Sequence, residues 1–155
     1  MAEFLGAPNV FAVGGSWVSN KADIAAHQFE KISRLAAEAR KTVLGFELAH
    51  IGINCANAGE AAAWAKTMQA MFGLPVKDCE GSVYAGTGFE FLKAPFLGEH
   101  GHLAVRTNDI SRGMAYLESL GYTFDQPNIK SQSGKIIAAY LKDTIAGFAV
   151  HLQQK

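Results

Sequence analysis

His50-Ile51-Gly52-Ile53, running on to a helix that stops at Phe72-Gly73, and His102-Leu103-Ala104-Val105, running on to a helix that stops at Leu120-Gly121, are one pattern written twice. In the first run Ala49, Ile51 and Ile53 alternate with Leu48, His50, Gly52 and Asn54, and in the second His102, Ala104 and Arg106 alternate with Leu103 and Val105. Alternation of period two puts successive side chains on opposite faces of a half-buried strand. Residues 58–73 then carry Ala62, Ala65, Met68 and Phe72 at helical spacing and close on Gly73-Leu74-Pro75; the second round carries Ile110, Met114, Leu117 and Leu120 behind a capping Asp109. Short strands are expected after the first helix at 76–79, 82–85 and 88–93, and after the second at 122–125, 136–141 and 146–153. Residues 126–135, with Pro127 and Gly134, read as an exposed loop between them.

An internal duplication of this kind predicts an α+β domain over residues 46–155, built of two βαβββ modules (about 46–97 and 98–155) that share one curved mixed sheet. Right-handed crossovers put both helices on one face of that sheet, so the other face becomes the wall of a cavity. The polar residues that look into it follow from the alternation. His50 lies opposite Ala49 and Ile51, Glu90 sits between Phe89 and Phe91, His102 precedes Leu103, and His151 sits between Val150 and Leu152. Two of the four fall on the first strand of a module and two on the last. Three imidazoles and one carboxylate suit a borderline divalent ion such as Zn, Ni, Co, Fe or Mn, with positions left for water or substrate. The plain alternative is four ordinary polar residues on a half-exposed sheet.

On these residues the segment 46–155 resembles the glyoxalase/bleomycin-resistance/dioxygenase (vicinal-oxygen-chelate) superfamily. Phe89-Glu90-Phe91-Leu92 is similar to the carboxylate-bearing strand of bacterial glyoxalase I, and Gly101-His102-Leu103-Ala104-Val105 to its second-module histidine strand. The resemblance maps the four metal ligands onto His50, Glu90, His102 and His151. The last departs from the pattern, since a carboxylate stands there in glyoxalase I and in the fosfomycin-resistance and extradiol-dioxygenase branches. An imidazole near neutral pH is suited to proton transfer, which leaves Glu90 and His151 as the candidate catalytic groups. The chemistry implied is lyase or isomerase-type proton transfer on a small 2-oxo or hydroxy acid or aldehyde, with two adjacent oxygens chelated to the metal. Arg106, on the face of His102, is the candidate for holding a substrate carboxylate or phosphate; a solvated edge charge is the alternative. Lys130, Lys135 and Lys142 are weaker candidates of the same kind.

Residues 1–45 read as a separate appendage. Asn9, Val10, Phe11, Ala12 and Val13 make a short apolar strand broken by Gly14-Gly15-Ser16, and a helix capped by Asn20 follows over 21–41. Residues 5–41 resemble the C-terminal strand, phosphate loop and terminal helix of the 2-keto-3-deoxy-6-phosphogluconate or 4-hydroxy-2-oxoglutarate aldolases. One strand and one helix cannot close a barrel, so aldolase activity is not expected of them; the resemblance implies fusion to such an aldolase. The apolar side chains Val10, Phe11, Val13, Trp17, Phe29, Ile32 and Leu35 are expected to dock on a partner chain or on the outside of the sheet, and a homodimer is the expected assembly.

Composition narrows the partners. Lys plus Arg and Asp plus Glu number 14 each, so no global field draws nucleic acid or an anionic membrane. Although 49% of residues are hydrophobic, no run approaches the roughly 20 needed to span a bilayer. No basic region followed by an apolar stretch opens the chain, and a cytoplasmic location with a small-molecule substrate is expected. Cys55 and Cys79 are read as buried free thiols. Two further functions remain open on sequence: a metal-free module that binds a small ligand, and an accessory domain of the aldolase.

Overall fold

A computed structural model describes residues 2–7 and 9–155. Three helices, α1 (Ala2–Leu5), α2 (Lys21–Ala25) and α3 (Phe29–Leu44), precede the duplicated region. The first module then runs β1 (Glu47–Asn54), α4 (Ala58–Phe72), β2 (Val76–Asp78), β3 (Ser82–Ala85) and β4 (Phe89–Leu92). The second runs β5 (Gly101–Thr107), α5 (Ile110–Ser119), β6 (Phe124–Gln132), β7 (Lys135–Ile145) and β8 (Phe148–Gln154). All eight strands form one sheet in the order β2-β3-β4-β1-β5-β8-β7-β6. This is the α+β fold of two βαβββ modules in one mixed sheet that the repeat predicts.

The two halves match residue for residue about the β1–β5 junction. β1 pairs with β4 in parallel, Gly52 opposite Glu90, and β5 pairs with β8 in parallel, Ala104 opposite His151. The antiparallel seam between the halves sets His50 opposite Ala104 and Gly52 opposite His102. His50 and His102 are thus equivalent positions, as are Glu90 and His151. Along this seam the expected alternation is interrupted before the histidine, where the register shifts between Leu48 and His50.

Both helices lie on one face. Ala61 and Ala65 of α4 pack with Val83, Ala85 and Phe91, joined by Ile53 and Met68, while Ile110 of α5 packs with Phe124, Ala139 and Leu152, joined by Val105, Met114 and Leu117. Small alanines on α4 let it approach the sheet closely. Each helix begins where a short acceptor catches an orphan donor: Asn57 Oδ1 accepts from Glu60 N at 3.0 Å and Asp109 Oδ1 from Arg112 N at 3.0 Å. Gly73 ends α4 with φ of 68°, a left-handed value open to glycine.

Four expectations need correction. Residues 126–135 are not a loop but most of a hairpin, β6 and β7 meeting at the tight turn Ser133-Gly134. Pro127 fits because β6 is the edge strand and its register shifts between Phe124 and Ile129, where no ladder donor is required. Residues 9–13 form no strand: no described segment pairs with them, and the carbonyls of Val10 and Phe11 accept instead from the Arg112 guanidinium at 3.4 and 3.3 Å. The helix expected over 21–41 is two helices, because no apolar side chain at helical spacing bridges Ile24 to Phe29 and His27 turns left-handed with φ of 53°. Asn20 does cap the first of them. Of the two free cysteines Cys55 is buried but Cys79 is only half-buried.

The appendage is tied to the second module. Thr107 Oγ1 donates to Leu44 O at 2.7 Å, Asn108 N donates to the same oxygen at 2.9 Å, and the Asn108 amide donates to Thr42 O and Val43 O at 3.2 Å each. Among the described residues no helix is long and apolar enough to cross a membrane.

Candidate metal centre

β4, β1, β5 and β8 are the four adjacent central strands, and each sends one polar side chain to the helix-free face. His50, Glu90, His102 and His151 converge there, all four from one chain. His50 Nε2 lies 3.1 Å and His102 Nε2 3.2 Å from Glu90 Oε2, and the two Nε2 atoms are 3.0 Å apart. His50, His102 and His151 each offer a ring nitrogen within 4.8 Å of the others. The three imidazoles are 8%, 4% and 5% exposed, so water cannot solvate them freely.

Gly52 makes the convergence possible. A Cβ at this position would overlap the His102 ring, so only glycine opposite His102 leaves room for the imidazole to lie across the seam. The equivalent Ala104 carries a Cβ opposite His50. This asymmetry is invisible in the alternation pattern, in which Gly52 reads only as a small strand residue.

Outer contacts orient the donors. Ser82 Oγ donates to Glu90 Oε1 at 2.7 Å, leaving Oε2 toward the histidines. Burial alone would favour the neutral acid, but hydrogen bonds from His102, His50, Ser82 and Tyr84 outweigh it and hold the Glu90 carboxyl well below the usual carboxylate range. His151 Nδ1 lies 3.2 Å from Leu152 O and donates to it, which fixes the tautomer with an Nε2 lone pair facing the cluster. Burial, reinforced by repulsion from His102, lowers the His151 pKa to about 4, so this ring is neutral at neutral pH. Tyr140 stacks on it with ring centroids 4.5 Å apart, and burial with the nearby Glu90 charge pushes the Tyr140 phenol up to about 12. His102 Nδ1 is buried without a partner among the described residues.

The donor set fits a divalent ion. Ligands held at about 2.0 to 2.1 Å from a common centre stand roughly 2.8 to 3.4 Å from one another in octahedral or tetrahedral arrangements. The three spacings of 3.0, 3.1 and 3.2 Å fall within that range. His151 offers a further ring nitrogen within 4.8 Å of those of His50 and His102.

A cavity of about 220 Å³ opens above the cluster, walled by Leu92, Phe96, Lys130, Ala138, Tyr140 and Gln153. Phe96 is carried over it by the loop after β4. Asn54 clamps that loop: its Oδ1 accepts from Phe96 N at 3.0 Å and its Nδ2 donates to Gly98 O at 2.9 Å. Arg106, expected to hold a substrate anion, lies on this face beside Gln153 but does not line the cavity. Lys130 does line it. The sequence offered Lys130 only as a weaker candidate than Arg106, because its strand reads as a loop around Pro127.

No protein-family model and no curated protein matches the chain. Solved structures do. A variant of methylmalonyl-CoA epimerase from Streptomyces coelicolor, in complex with 2-nitronate-propionyl-CoA, is 18% identical, with a TM-score of 0.51 over 70% of this chain and 94% of its own. A hypothetical protein from Bacillus halodurans is also 18% identical, with a TM-score of 0.50 over 71% of this chain and 94% of its own. A variant of homoprotocatechuate 2,3-dioxygenase from Brevibacterium fuscum is 16% identical, with a TM-score of 0.47; the match spans 70% of this chain but only 32% of the dioxygenase. The fold is glyoxalase-like, two βαβββ modules sharing one mixed sheet. At these identities the likeness speaks to fold and not to reaction. It lends no support to the aldolase resemblance of residues 5–41.

Proposed function

We propose that this protein is a divalent-metal-dependent enzyme of glyoxalase-like type that transfers a proton on a small 2-oxo or 2-hydroxy acid or aldehyde. The observation that carries the reading is the three-way meeting of His50 Nε2, His102 Nε2 and Glu90 Oε2 at 3.0 to 3.2 Å. Both Nε2–H groups can donate to the one carboxylate oxygen, but only with the two nitrogens crowded to 3.0 Å and neither lone pair used. A cation among the three atoms accounts for that spacing and uses all three lone pairs. His50, Glu90, His102 and His151 would hold it, and when bound it would act as a Lewis acid on two adjacent substrate oxygens, acidifying the neighbouring C–H.

The chain's own groups supply the rest. Glu90, fixed as a carboxylate by Ser82, balances part of the positive charge. His151 is neutral at neutral pH and oriented by Leu152 O, so it has one Nε2 lone pair: bound to the ion it is a ligand, and only off the ion is it suited to take and return a proton; Glu90 is the other candidate. Phe96 and Leu92 give the cavity above them an apolar wall. A homodimer accords with the apolar side chains that the N-terminal segment leaves exposed, among them Phe11, Trp17 and Phe29, and sedimentation equilibrium measures it.

Elemental analysis of purified protein, followed by zinc and manganese titration of wild type and His50→Ala, tests the metal. One ion per chain in the wild type and none in the variant is the expected result. A wild type that copurifies with no metal and takes up neither ion belongs instead to the metal-free binding class.

A further inference from the structure

The cavity is electrostatically one-sided. Among the described residues Glu90 is the only acidic residue that lines it, and Lys130 the only lysine or arginine. Lys130 reaches it by register: on β6 it stands opposite Ala138 of β7, which stands opposite Gln153 of β8, one row along the strands from Tyr140 and His151. Rows on one face are about 7 Å apart. The small Ala138 leaves the lysine stem free to lean inward, and its Nζ lies 5.6 Å from the centre of the Phe96 ring. Lys130 makes no ion pair among the described residues, in contrast to Lys31, Lys93 and Lys155. With a divalent ion in the cluster, the single charge of Glu90 leaves two positive charges in the cavity without a counterpart, Lys130 among them.

We propose that Lys130 is the specificity-determining residue for a dianionic substrate, a small 2-oxo or 2-hydroxy diacid whose distal carboxylate Lys130 binds while the 2-oxo or 2-hydroxy end faces the histidine cluster. The assignment rests on the metal reading above. A chelating end in the cluster and a carboxylate at Lys130 balance the charge, and the apolar walls Leu92, Phe96 and Tyr140 accept the short carbon chain between them. A cavity of about 220 Å³ admits a molecule of this size.

The test has two arms. Zinc alone is titrated into wild type, Lys130→Gln and Lys130→Arg, and 2-oxoglutarate and 2-oxopentanoate, which share one chelating end but differ in the charge of the tail, are then titrated calorimetrically into the zinc-loaded proteins. Equal zinc affinity in all three proteins is expected. Wild type should prefer 2-oxoglutarate by about tenfold, the scale of one charge-assisted contact at a partly exposed site, with Lys130→Gln losing the preference and Lys130→Arg keeping most of it. Failure to bind zinc at all overturns the metal reading and this proposal with it. Zinc binding with equal affinity for the two acids in wild type, or a preference that survives Lys130→Gln, overturns the diacid assignment alone.

Discussion

Replacing Gly52 by alanine adds one methyl group where the His102 ring already lies. The backbone of β1 cannot yield, because it is paired on both sides, with β4 and with β5, so the imidazole must move. Restoring ordinary contact of about 3.5 to 4.0 Å between carbon atoms requires the ring to retreat by more than 1 Å. A coordination shell tolerates only about 0.2 Å. His102 would therefore cease to be a ligand, and affinity for zinc should fall at least 100-fold, about 2.7 kcal/mol, while overpacking removes about 1 to 3 kcal/mol of stability. Competition against a chromophoric chelator reads the affinity, and thermal unfolding of the metal-free protein reads the stability. Because the effect is argued to pass through one ring, a double-mutant cycle isolates it: in a His102→Ala background, Gly52→Ala should cost no further zinc affinity. Wild-type affinity in Gly52→Ala, or additive losses in the double variant, would refute the reasoning.

Three further outcomes follow from the same geometry. Ser82→Ala removes the donor that turns Glu90 Oε2 toward the histidines, and zinc affinity should fall about 10- to 100-fold in the same competition assay, as for other outer-shell partners of a metal ligand. In metal-free protein, His151 has a folded pKa lowered to about 4 from its ordinary 6.5, so the unfolded chain binds more protons between those values; stability is complete above pH 6.5 and falls by roughly 3 kcal/mol as pH drops to about 4. Urea midpoints across that range measure it, and His151→Phe should flatten the profile above pH 4.5; the depressed Glu90 carboxyl adds a loss in the same direction as pH falls below its ordinary value of 4.5. Asn54→Ala releases the loop that carries Phe96, and hydrogen exchange at residues 95–98 should quicken while that of β1 is unchanged.

The part of the fold that strand alternation and a repeated pattern control was legible in the sequence. The residues flanking His50, Glu90, His102 and His151 are apolar, so the core dictates where each polar side chain points, and the duplication dictates that the four strands are neighbours. What the sequence could not show depends on contacts between distant segments. Pro127 signals a loop because proline breaks a ladder, but an edge strand with a register shift tolerates it, and edge position is a property of the whole sheet. Residues 9–13 have the composition of a strand yet find no partner, and strand propensity without a partner yields no strand. Gly52 acquires its role from a ring on another strand. Lys130 enters the site because a hairpin, not a loop, carries it.

The central claim is that three imidazoles and one carboxylate of a single chain close on one cation. Anomalous diffraction from a crystal of the zinc-loaded protein tests this most directly. The account predicts one peak per chain, about 2.0 to 2.2 Å from the nearest nitrogens of His50 and His102 and the nearest oxygen of Glu90, with His151 facing it. A peak bound elsewhere on the chain, with these four side chains left uncoordinated, would contradict it.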